Sequence, residues 1–495
     1  MLETLRAYGA GLLAEAGEDG QATAALVGYA AEVAEQASAG LYTRTGEAAS
    51  LRQLDAEDLT LRHALDWAME HDRPAALRLA LGQAPMWGIR GRLISQAPLL
   101  AAVAEYADVG SDQWCGVRML LGQAANALAD PVAALEHYTA VLAAVEDPGR
   151  PESWPGSGPV ILVLGLGGRS LALLQAGRVA EAAGDADRAL AVARQIGSQA
   201  LAAVGLTCLA MASWQAGDRD DALRLVRQAQ AVPEEFAGGL DRGLSGFVTM
   251  ALIEAGDLAA AEQACAAGMA SCRALGDLAN LSGALWNRTI LDLRTGRTDD
   301  ATVHLREQFQ IAAQTGLRSV LLASLDCCGR LCAATGRPAE AVTVWAAMSA
   351  LSGPWPLLYG SRNLGGREEH LRKARRLLGP AGTRAADERG SAMSLATAAE
   401  YALMLAAAEP KRAAGEVTTD DAAAAVATVP GLARLSPRER ELVTLVAQGR
   451  TDAQIAAQLY ITVRTVSSHL DRVRDKTGCR RRADLTRLAL RAGLV

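Results

Sequence analysis

The chain has 495 residues, of which half are hydrophobic, 4% are aromatic and 21% are charged, so it can bury a large core. The formal net charge is −6, but residues 430–495 alone carry 13 basic and 6 acidic side chains. This end therefore has a net charge of +7 and the preceding 429 residues one of −13, a pattern that favours a polyanion-binding tail on an acidic body.

The cysteines and the apolar stretches indicate the cellular compartment of the protein. Eight scattered cysteines in so long a chain exclude a secreted disulfide framework and favour a reducing cytoplasm. Charged residues at Glu3, Arg6 and Glu15 interrupt a signal peptide, and the run "VILVLGLGG" is too short and too glycine-rich to cross a bilayer. The sequence predicts a cytoplasmic protein without a membrane partner.

Residues 1–128 are predicted to form an N-terminal helical region, followed by repeats over residues 129–408. The stretches "QAGRVAEAAG", "QAGDRDDALR", "EAGDLAAAEQ", "RTGRTDDATV" and "ATGRPAEAVT" place glycines at intervals of 40, 39, 40 and 40 residues. These glycines are Gly177, Gly217, Gly256, Gly296 and Gly336. Each is expected to end one helix in a left-handed conformation, and Gly197, Gly276 and Gly316 fall about halfway between them.

Each repeat is therefore predicted to be a helical hairpin, and stacked hairpins form a superhelix with a concave surface. "ADPVAALEHY", from Ala129, is predicted to be one more copy, before an exposed loop at "EDPGRPESWPGSGP". The period resembles that of tetratricopeptide arrays. Two interpretations are open for Trp214, Trp286 and Trp345: they line the groove, or they fill gaps between helices.

Beyond the array, "NLGGREEHLRKARRLLG" predicts a basic helix, and "RGSAMSLATAAEYALMLA" predicts another that Ser394 can cap. Residues 409–430 lose any periodicity and are predicted to be a linker. Residues 431–495 are predicted to be a separate domain. Its first helix should begin at Pro437, because Ser436 and Glu439 form a capping box.

Two further caps predict a helix-turn-helix, since Thr451 can begin a second helix and Thr462 a third. In the third helix, a buried stripe is predicted from Val463, Val466, Leu470 and Val473. A helix of this kind fits the major groove of DNA, with its outward residues near base edges. These outward residues are Arg464, Ser467, Ser468, Asp471 and Arg472. Phosphate contacts are predicted for His469, Arg474, Lys476, Arg480, Arg481 and Arg482.

Residues 435–490 resemble the LuxR-type DNA-binding domain in the stretches "LSPRERELVTLVAQG", "DAQIAAQLYI", "RTVSSHL" and "TGCRRRADL". The resemblance implies a four-helix domain that binds double-stranded DNA as a homodimer, paired through its last helix. It also implies base reading by Ser467, Ser468 and Asp471. It further implies that Arg464, Thr465 and Arg472 contact the DNA backbone or flanking bases. The family usually has more lysine or arginine in this helix, so its operator sequence does not transfer.

The N-terminal stretches "MLETLRAYGAGLLAEAGE" and "LRQLDAEDLTLRHALDWAMEHDRPAALRLA" resemble the segment that follows the ATPase in large AfsR-like and NB-ARC-containing LuxR regulators. The ATPase motif G-x-x-x-x-G-K-[ST] is missing, because Lys373 follows Arg, Lys411 follows Pro and Lys476 follows Asp. Three explanations stay open: the switch was lost, the start codon was assigned too late, or the chain is a fragment.

Other motifs favour structural roles. Cys328 and Cys332 share a helix face but lack nearby ligands, so they are predicted to be buried small side chains rather than a metal site. "GLGGRS" lacks the strand and spacing of a nucleotide loop, and no nucleophile elbow is present. The sequence predicts no catalytic residue, no metal and no cofactor, and hence no enzyme.

The sequence therefore predicts an all-α transcription regulator whose helical-repeat body senses an effector or docks a partner protein, with RNA polymerase as a further partner. The first alternative is a protein-docking scaffold with a weak DNA-tethering tail. The second is the C-terminal part of an ATP-dependent regulator whose NTPase lies upstream.

Overall fold

The computed structural model describes most of the chain. The described residues are 3–41, 45–150, 156–231, 238–352, 366–407, 435–448, 450, 452, 454–455, 463–479, 481–491 and 494. Within these ranges the regular elements are all helices, which confirms the predicted all-α class. The predicted linker, Thr451 and Thr462 lie outside the described residues.

The first six described helices lie within residues 1–104. They are α1 (Glu3–Ala16), α2 (Asp19–Leu41), α3 (Glu47–Ala56), α4 (Asp58–His71), α5 (Arg73–Ile89) and α6 (Leu93–Ala104). Twelve more described helices follow, of which α7 still lies within residues 1–128. They are α7 (Asp112–Ala127), α8 (Pro131–Val145), α9 (Ser157–Gln175), α10 (Val179–Gln195), α11 (Gln199–Ala216), α12 (Arg219–Gln230), α13 (Gly238–Ala255), α14 (Leu258–Leu275), α15 (Leu278–Arg294), α16 (Thr298–Thr315), α17 (Arg318–Ala334) and α18 (Pro338–Ser352).

Five more described helices complete the chain. They are α19 (Arg367–Ser391), α20 (Leu395–Ala407), α21 (Pro437–Ala447), α22 (Val463–Thr477) and α23 (Arg482–Arg491). Gly379 interrupts α19 with a non-helical conformation, directly before Pro380. The chain forms two compact units, Met1–Asn287 with Ile311–Ser319, and Arg288–Gln310 with Val320–Val495.

Left-handed glycines make the turns between the repeat helices. The five glycines that set the repeat period have φ between 72° and 94°, and Gly197, Gly276 and Gly316 have φ of 70°, 63° and 67°. At the predicted extra copy, Ala129 takes the same role with φ 56°. The predicted helical hairpins are therefore confirmed, and α7 and α8 form the additional one.

Aspartates next to these turns start the following helices. Asp218 accepts a hydrogen bond from the backbone N–H of Asp221 at 3.0 Å, and Asp257 accepts one from that of Ala260 at 3.1 Å. A side-chain acceptor at this position satisfies one of the N–H groups that a helix leaves unpaired at its start. The Gly-Asp pair thus both ends one helix and begins the next.

A buried ion-pair network joins distant segments of the first unit. Arg242 donates to both carboxylate oxygens of Glu47, at 2.8 and 2.6 Å, and to Asp277 Oδ2 at 2.6 Å. The three side chains are at most 5% exposed, so removing the Arg242 guanidinium would leave two buried carboxylates without their shared cation. This network fixes α3 against the turn between α14 and α15.

Aromatic and apolar side chains fill the interior of the repeats. Trp214, Trp286 and Trp345 are 4%, 3% and 2% exposed, so the interpretation that they fill gaps between helices is the correct one. Within the described residues, α9 alone is long and apolar enough to cross a bilayer, but 61% of its most apolar window is buried in the protein. It packs against α8 and α10 as a core helix.

The predicted capping box is present at the start of α21. The Ser436 hydroxyl accepts from the Glu439 N–H at 3.3 Å, and the Ser436 N–H donates to Glu439 Oε2 at 2.7 Å. Lys476, near the end of α22, donates to both oxygens of Glu439 at 2.7 Å. These hydrogen bonds, that of Lys476 first, lower the pKa of Glu439 to about 2. The carboxylate therefore joins the start of α21 to the end of α22.

Replacing Gly205 with alanine tests the close approach of the repeat helices. The added Cβ would lie 2.8 Å from the backbone N and 2.9 Å from the Cα of Leu190, and backbone cannot give way as a side chain can. We expect Gly205→Ala to destabilise the protein by about 1–3 kcal/mol. Gly184→Ala on α10 is the matched control, because its Cβ meets nothing within 4 Å and should stabilise by up to about 1 kcal/mol. Thermal unfolding measures both, and equal shifts would contradict the packing described.

Replacing Glu439 with glutamine tests the joint between α21 and α22. The carboxylate has a lower pKa folded than unfolded, so its stabilisation is complete above its ordinary pKa of 4.5 and is lost as pH falls through about 2. At pH 7 we expect Glu439→Gln to weaken the domain by about 1–2 kcal/mol, with the difference from wild type shrinking below pH 4.5. Hydrogen exchange of the α21 and α22 amides provides the measurement. Asp475→Asn, at an exposed carboxylate, should change little at any pH.

Candidate nucleic-acid interface

The apolar core of the C-terminal domain fixes which side of α22 is buried. Val466, Leu470 and Val473 are 0%, 2% and 0% exposed, and they pack in one apolar cluster with residues of α21 and α23. The predicted buried stripe is therefore confirmed for these three residues. Because a helix repeats every 3.6 residues, this stripe directs the opposite side of α22 to solvent.

The solvent side of α22 carries the polar residues that the sequence singled out. Ser467, Asp471 and Arg472 are exposed, and His469 is half-buried. Ser467 and Asp471 are four residues apart and so lie on one face. Arg464, Thr465 and Ser468 lie within α22, but their side chains are outside the described residues. We call the exposed surface formed by Ser467, Asp471 and Arg472 the polar face of α22.

An ion pair along the helix modifies the charge of the polar face. Asp471 Oδ1 lies 2.7 Å from Arg474 Nη1, while the Asp471 side chain stays 67% exposed. The arginine offsets the negative charge that would otherwise repel a phosphate. Arg474, which was predicted to contact phosphate, therefore forms an ion pair within its own helix.

Two other predicted phosphate-binding residues are engaged within the domain. Lys476 binds Glu439, and its side chain is 40% exposed. Arg482 lies 2.6 Å from Asp452 Oδ1 and also donates to the carbonyl of Arg450, so it joins the start of α23 to the preceding segment. The sequence pattern does not reveal these roles, because the partners are about 30 residues or more away along the chain.

Arg472 and Arg481 are the basic residues best placed to meet a ligand. Both are exposed, and in the part of the chain that the structure describes neither guanidinium makes an ion pair. Arg480 lies outside the described residues. The domain therefore combines a charge-balanced polar face with cations that are not used to hold its own helices together.

The cysteines of α17 are buried, as the sequence predicts. Cys327, Cys328 and Cys332 of α17 are each 0% exposed, and burial raises the pKa of the Cys327 thiol well above its ordinary value. Cys328 Sγ lies 3.7 Å from the carbonyl oxygen of Ala402. The structure places them as small apolar side chains of the interior. Among the described residues no group of His, Cys, Asp or Glu is arranged to hold a metal ion.

Two solved structures resemble the chain weakly. A Rap protein complexed with competence and sporulation factor superposes with a TM-score of 0.40 and 14% identity, over 72% of this chain and 99% of that one. Aspartyl phosphate phosphatase F from Bacillus subtilis superposes with a TM-score of 0.38 and 11% identity, over 68% of this chain and 82% of that one.

Two curated relatives match a short part of the chain. The response regulator Rre1 of Synechocystis sp. is 43% identical over 60 residues, and the probable transcriptional regulator ycf29 of Cyanophora paradoxa is 40% identical over 60 residues. Each match spans 12% of this chain, and the chain covers only 26% and 29% of the length of these relatives. The family model described as bacterial regulatory proteins, luxR family, matches residues 433–489. Residues 433–489, with their capped first helix and exposed polar face, are therefore a DNA-binding regulatory domain of the luxR family.

Proposed function

We propose that the chain is a sequence-specific transcription regulator that reads double-stranded DNA with the polar face of α22. The observation that carries this proposal is the side of α22 opposite the buried stripe, where Ser467, Asp471 and Arg472 are exposed together. An α-helix fits the major groove, and hydroxyl, carboxylate and guanidinium groups match the hydrogen-bonding edges of bases and phosphates.

The roles of the individual residues follow from their chemistry. Ser467, Ser468 and Asp471 read base edges in this proposal, and Asp471 suits the amino group of a cytosine. Arg464, Thr465, His469 and Arg472 contact the backbone or flanking bases. Lys476 acts mainly by fixing α22 to α21 through Glu439, and its remaining exposed surface faces the phosphates.

The body supplies the regulation in this proposal. Its helical repeats present a surface that binds an effector or a partner protein, and the acidic charge of the body discourages it from binding DNA itself. Two chains form a homodimer on half-sites about 34–36 Å apart, and the bound dimer acts on RNA polymerase in the cytoplasm. The chain needs no catalytic residue or cofactor for this role.

Removing the Arg472 guanidinium tests the backbone contact. Arg472→Ala should weaken binding to every duplex by a similar factor and should lower the slope of log affinity against log salt by about 1. Arg464→Ala should behave in the same way. Arg384→Ala on α19 is the matched control, because it removes an exposed arginine outside the domain. Fluorescence anisotropy over a series of salt concentrations provides the measurement, and unchanged affinity in both domain variants would argue against this placement of α22.

Changing the serines tests base reading. Ser467→Ala and Ser468→Ala should alter the preferred sequence more than the overall affinity, because one base contact discriminates by about 1–3 kcal/mol. Selection of duplexes from a randomised library measures the preference, with Ser391→Ala as a control outside the domain. The same assay separates the regulator from the scaffold alternative. A weak tether would bind the selected and the random duplexes alike at every salt concentration.

A further inference from the structure

Arg118 is a half-buried cation in the hairpin that α7 and α8 form within the first unit. Its guanidinium carbon lies 5.1 Å from the centroid of the Trp114 ring, one turn earlier on α7. Its Nη1 lies 3.2 Å from Nδ1 of His137 on α8. In the part of the chain that the structure describes, the guanidinium forms no ion pair with a carboxylate. The positive charge is therefore held against an indole face and an imidazole, neither of which is negatively charged.

One edge of the Arg118 guanidinium is left without an acceptor. Arginine can only donate hydrogen bonds, so Nη1 donates to His137, and the edge formed by Nε and Nη2 stays unused. Nε is shielded from solvent and has no hydrogen-bond partner, and Nη2 donates to no described residue. A buried N–H without an acceptor lowers the stability of a fold. The hairpin is therefore incomplete at this edge.

Two other arginines of the first unit show what the same edge binds. Arg78 donates through Nε and Nη2 to the two carboxylate oxygens of Glu35, each at 2.7 Å. Arg169 binds Asp185 through the same two atoms, again at 2.7 Å. This planar fork matches the spacing of the oxygens in a carboxylate or a phosphate. Arg118 offers an identical fork, but no carboxylate of the described residues occupies it.

The side chain that faces Arg118 is neutral rather than acidic. Burial first, and the charge of Arg118 second, lower the pKa of His137 below its ordinary 6.5, against the opposite effect of Glu136. Glu136 itself is exposed and forms no ion pair with Arg118. Because Nδ1 accepts from Arg118, the proton of the neutral imidazole lies on Nε2, which makes this nitrogen a further donor. The hairpin thus brings donors together around one cation.

We propose that the α7–α8 hairpin carries an oxyanion site, in which the Nε–Nη2 fork of Arg118 binds a carboxylate or phosphate group of a small molecule. Trp114 supports the plane of the guanidinium and His137 fixes its other end, so the fork is preorganised and loses little side-chain entropy on binding. The bound oxyanion supplies the acceptor that Nε lacks. This site goes beyond the proposed function, because it assigns a ligand to the body without reference to DNA.

The site also names the chemical class of the effector that the proposed function leaves open. In this second step, which rests on the proposed function, the effector is a small organic acid or a phosphate-bearing metabolite. Both share the oxyanion that Arg118 recognises, and the probes below distinguish them.

Thermal unfolding of the full chain tests the site with inorganic phosphate and with acetate. Each anion is titrated separately at constant ionic strength, with sodium chloride as the balancing salt. An anion that binds the folded state alone raises the unfolding temperature as its concentration exceeds its Kd. We expect at least one of the two anions to raise this temperature above the value in chloride, and the tighter one identifies the group that the ligand carries. If neither anion exceeds chloride, the site is overturned.

Arginine variants locate the bound anion. Arg118→Lys keeps the charge but replaces the fork with a single ammonium group. We expect the Kd of the anion, measured by titration calorimetry, to rise by about tenfold or more. Arg194→Lys, at an exposed arginine of α10, is the matched control and should leave the Kd within about twofold of wild type. Equal affinity in wild type and Arg118→Lys would mean that the anion binds elsewhere and that the proposal is wrong.

A carboxylate built into the hairpin provides an independent test, including the case in which Arg118→Lys does not fold. In His137→Glu the new carboxylate can accept from Arg118, and its charge repels an incoming anion. We expect this variant to unfold at a higher temperature than wild type in chloride and to bind the anion about tenfold more weakly. Thr139→Glu, at an exposed position of α8, is the control and should change neither quantity. Wild-type anion affinity in His137→Glu would contradict the site.

The remaining outcomes separate the site from the proposed function. Unfolding and calorimetry contain no DNA, so their failure overturns the oxyanion site and leaves the proposed DNA reading untouched. Fluorescence anisotropy with a selected duplex is then measured with and without a saturating anion. A change in duplex affinity of about fivefold or more in wild type, absent in Arg118→Lys, supports the anion as an effector. Anion binding without this change keeps the site but overturns its effector role. If no duplex is preferred over random DNA, the proposed function fails while the site stands.

Discussion

The body of this protein depends on the chain reversing direction about every twenty residues without losing the packing of its helices. A reversal this tight needs a residue with positive φ, and glycine takes that conformation without steric cost. The residue after the glycine must then satisfy the free N–H groups of the next helix, which Asp218 and Asp257 do. Neighbouring helices can approach to backbone contact only where a side chain is missing, as at Gly205 against Leu190.

Some basic residues of the C-terminal domain form ion pairs within it, and others remain available to a ligand. Its composition does not distinguish the two groups. A net charge of +7 suggests a uniformly cationic surface. In the folded domain, however, Lys476 holds Glu439, Arg482 holds Asp452 and Arg474 holds Asp471. The first two pairs join segments that are too short to be stable alone, whereas the third lies within α22. The cations that remain for a ligand are fewer than the count suggests, and this favours recognition by a small number of directed contacts.

Helix α20 gives the repeats and the DNA-binding domain a shared structural element. Its C-terminal carbonyls depend on arginines of the repeats, and its N-terminal half depends on α21 and α23. A helix transmits displacement along its axis because its hydrogen-bonded backbone is stiff.

The sequence by itself determined the features that depend on residues close together in the chain. The glycine period specified the hairpins, the Ser436–Glu439 spacing specified the start of α21, and the stripe through Val466, Leu470 and Val473 specified which side of α22 is buried. Each follows from turn geometry or helical periodicity over fewer than about ten residues.

Only the tertiary structure decided which charged side chains form ion pairs within the protein and which remain available to a partner. The pairing of Lys476 with Glu439 spans 37 residues, that of Arg487 with Glu400 spans 87, and that of Arg242 with Glu47 spans 195. An arginine in a sequence looks the same whether it will meet a carboxylate or a phosphate. Its partner is set by how whole helices pack, and that packing is a sum over many distant contacts that no local pattern encodes.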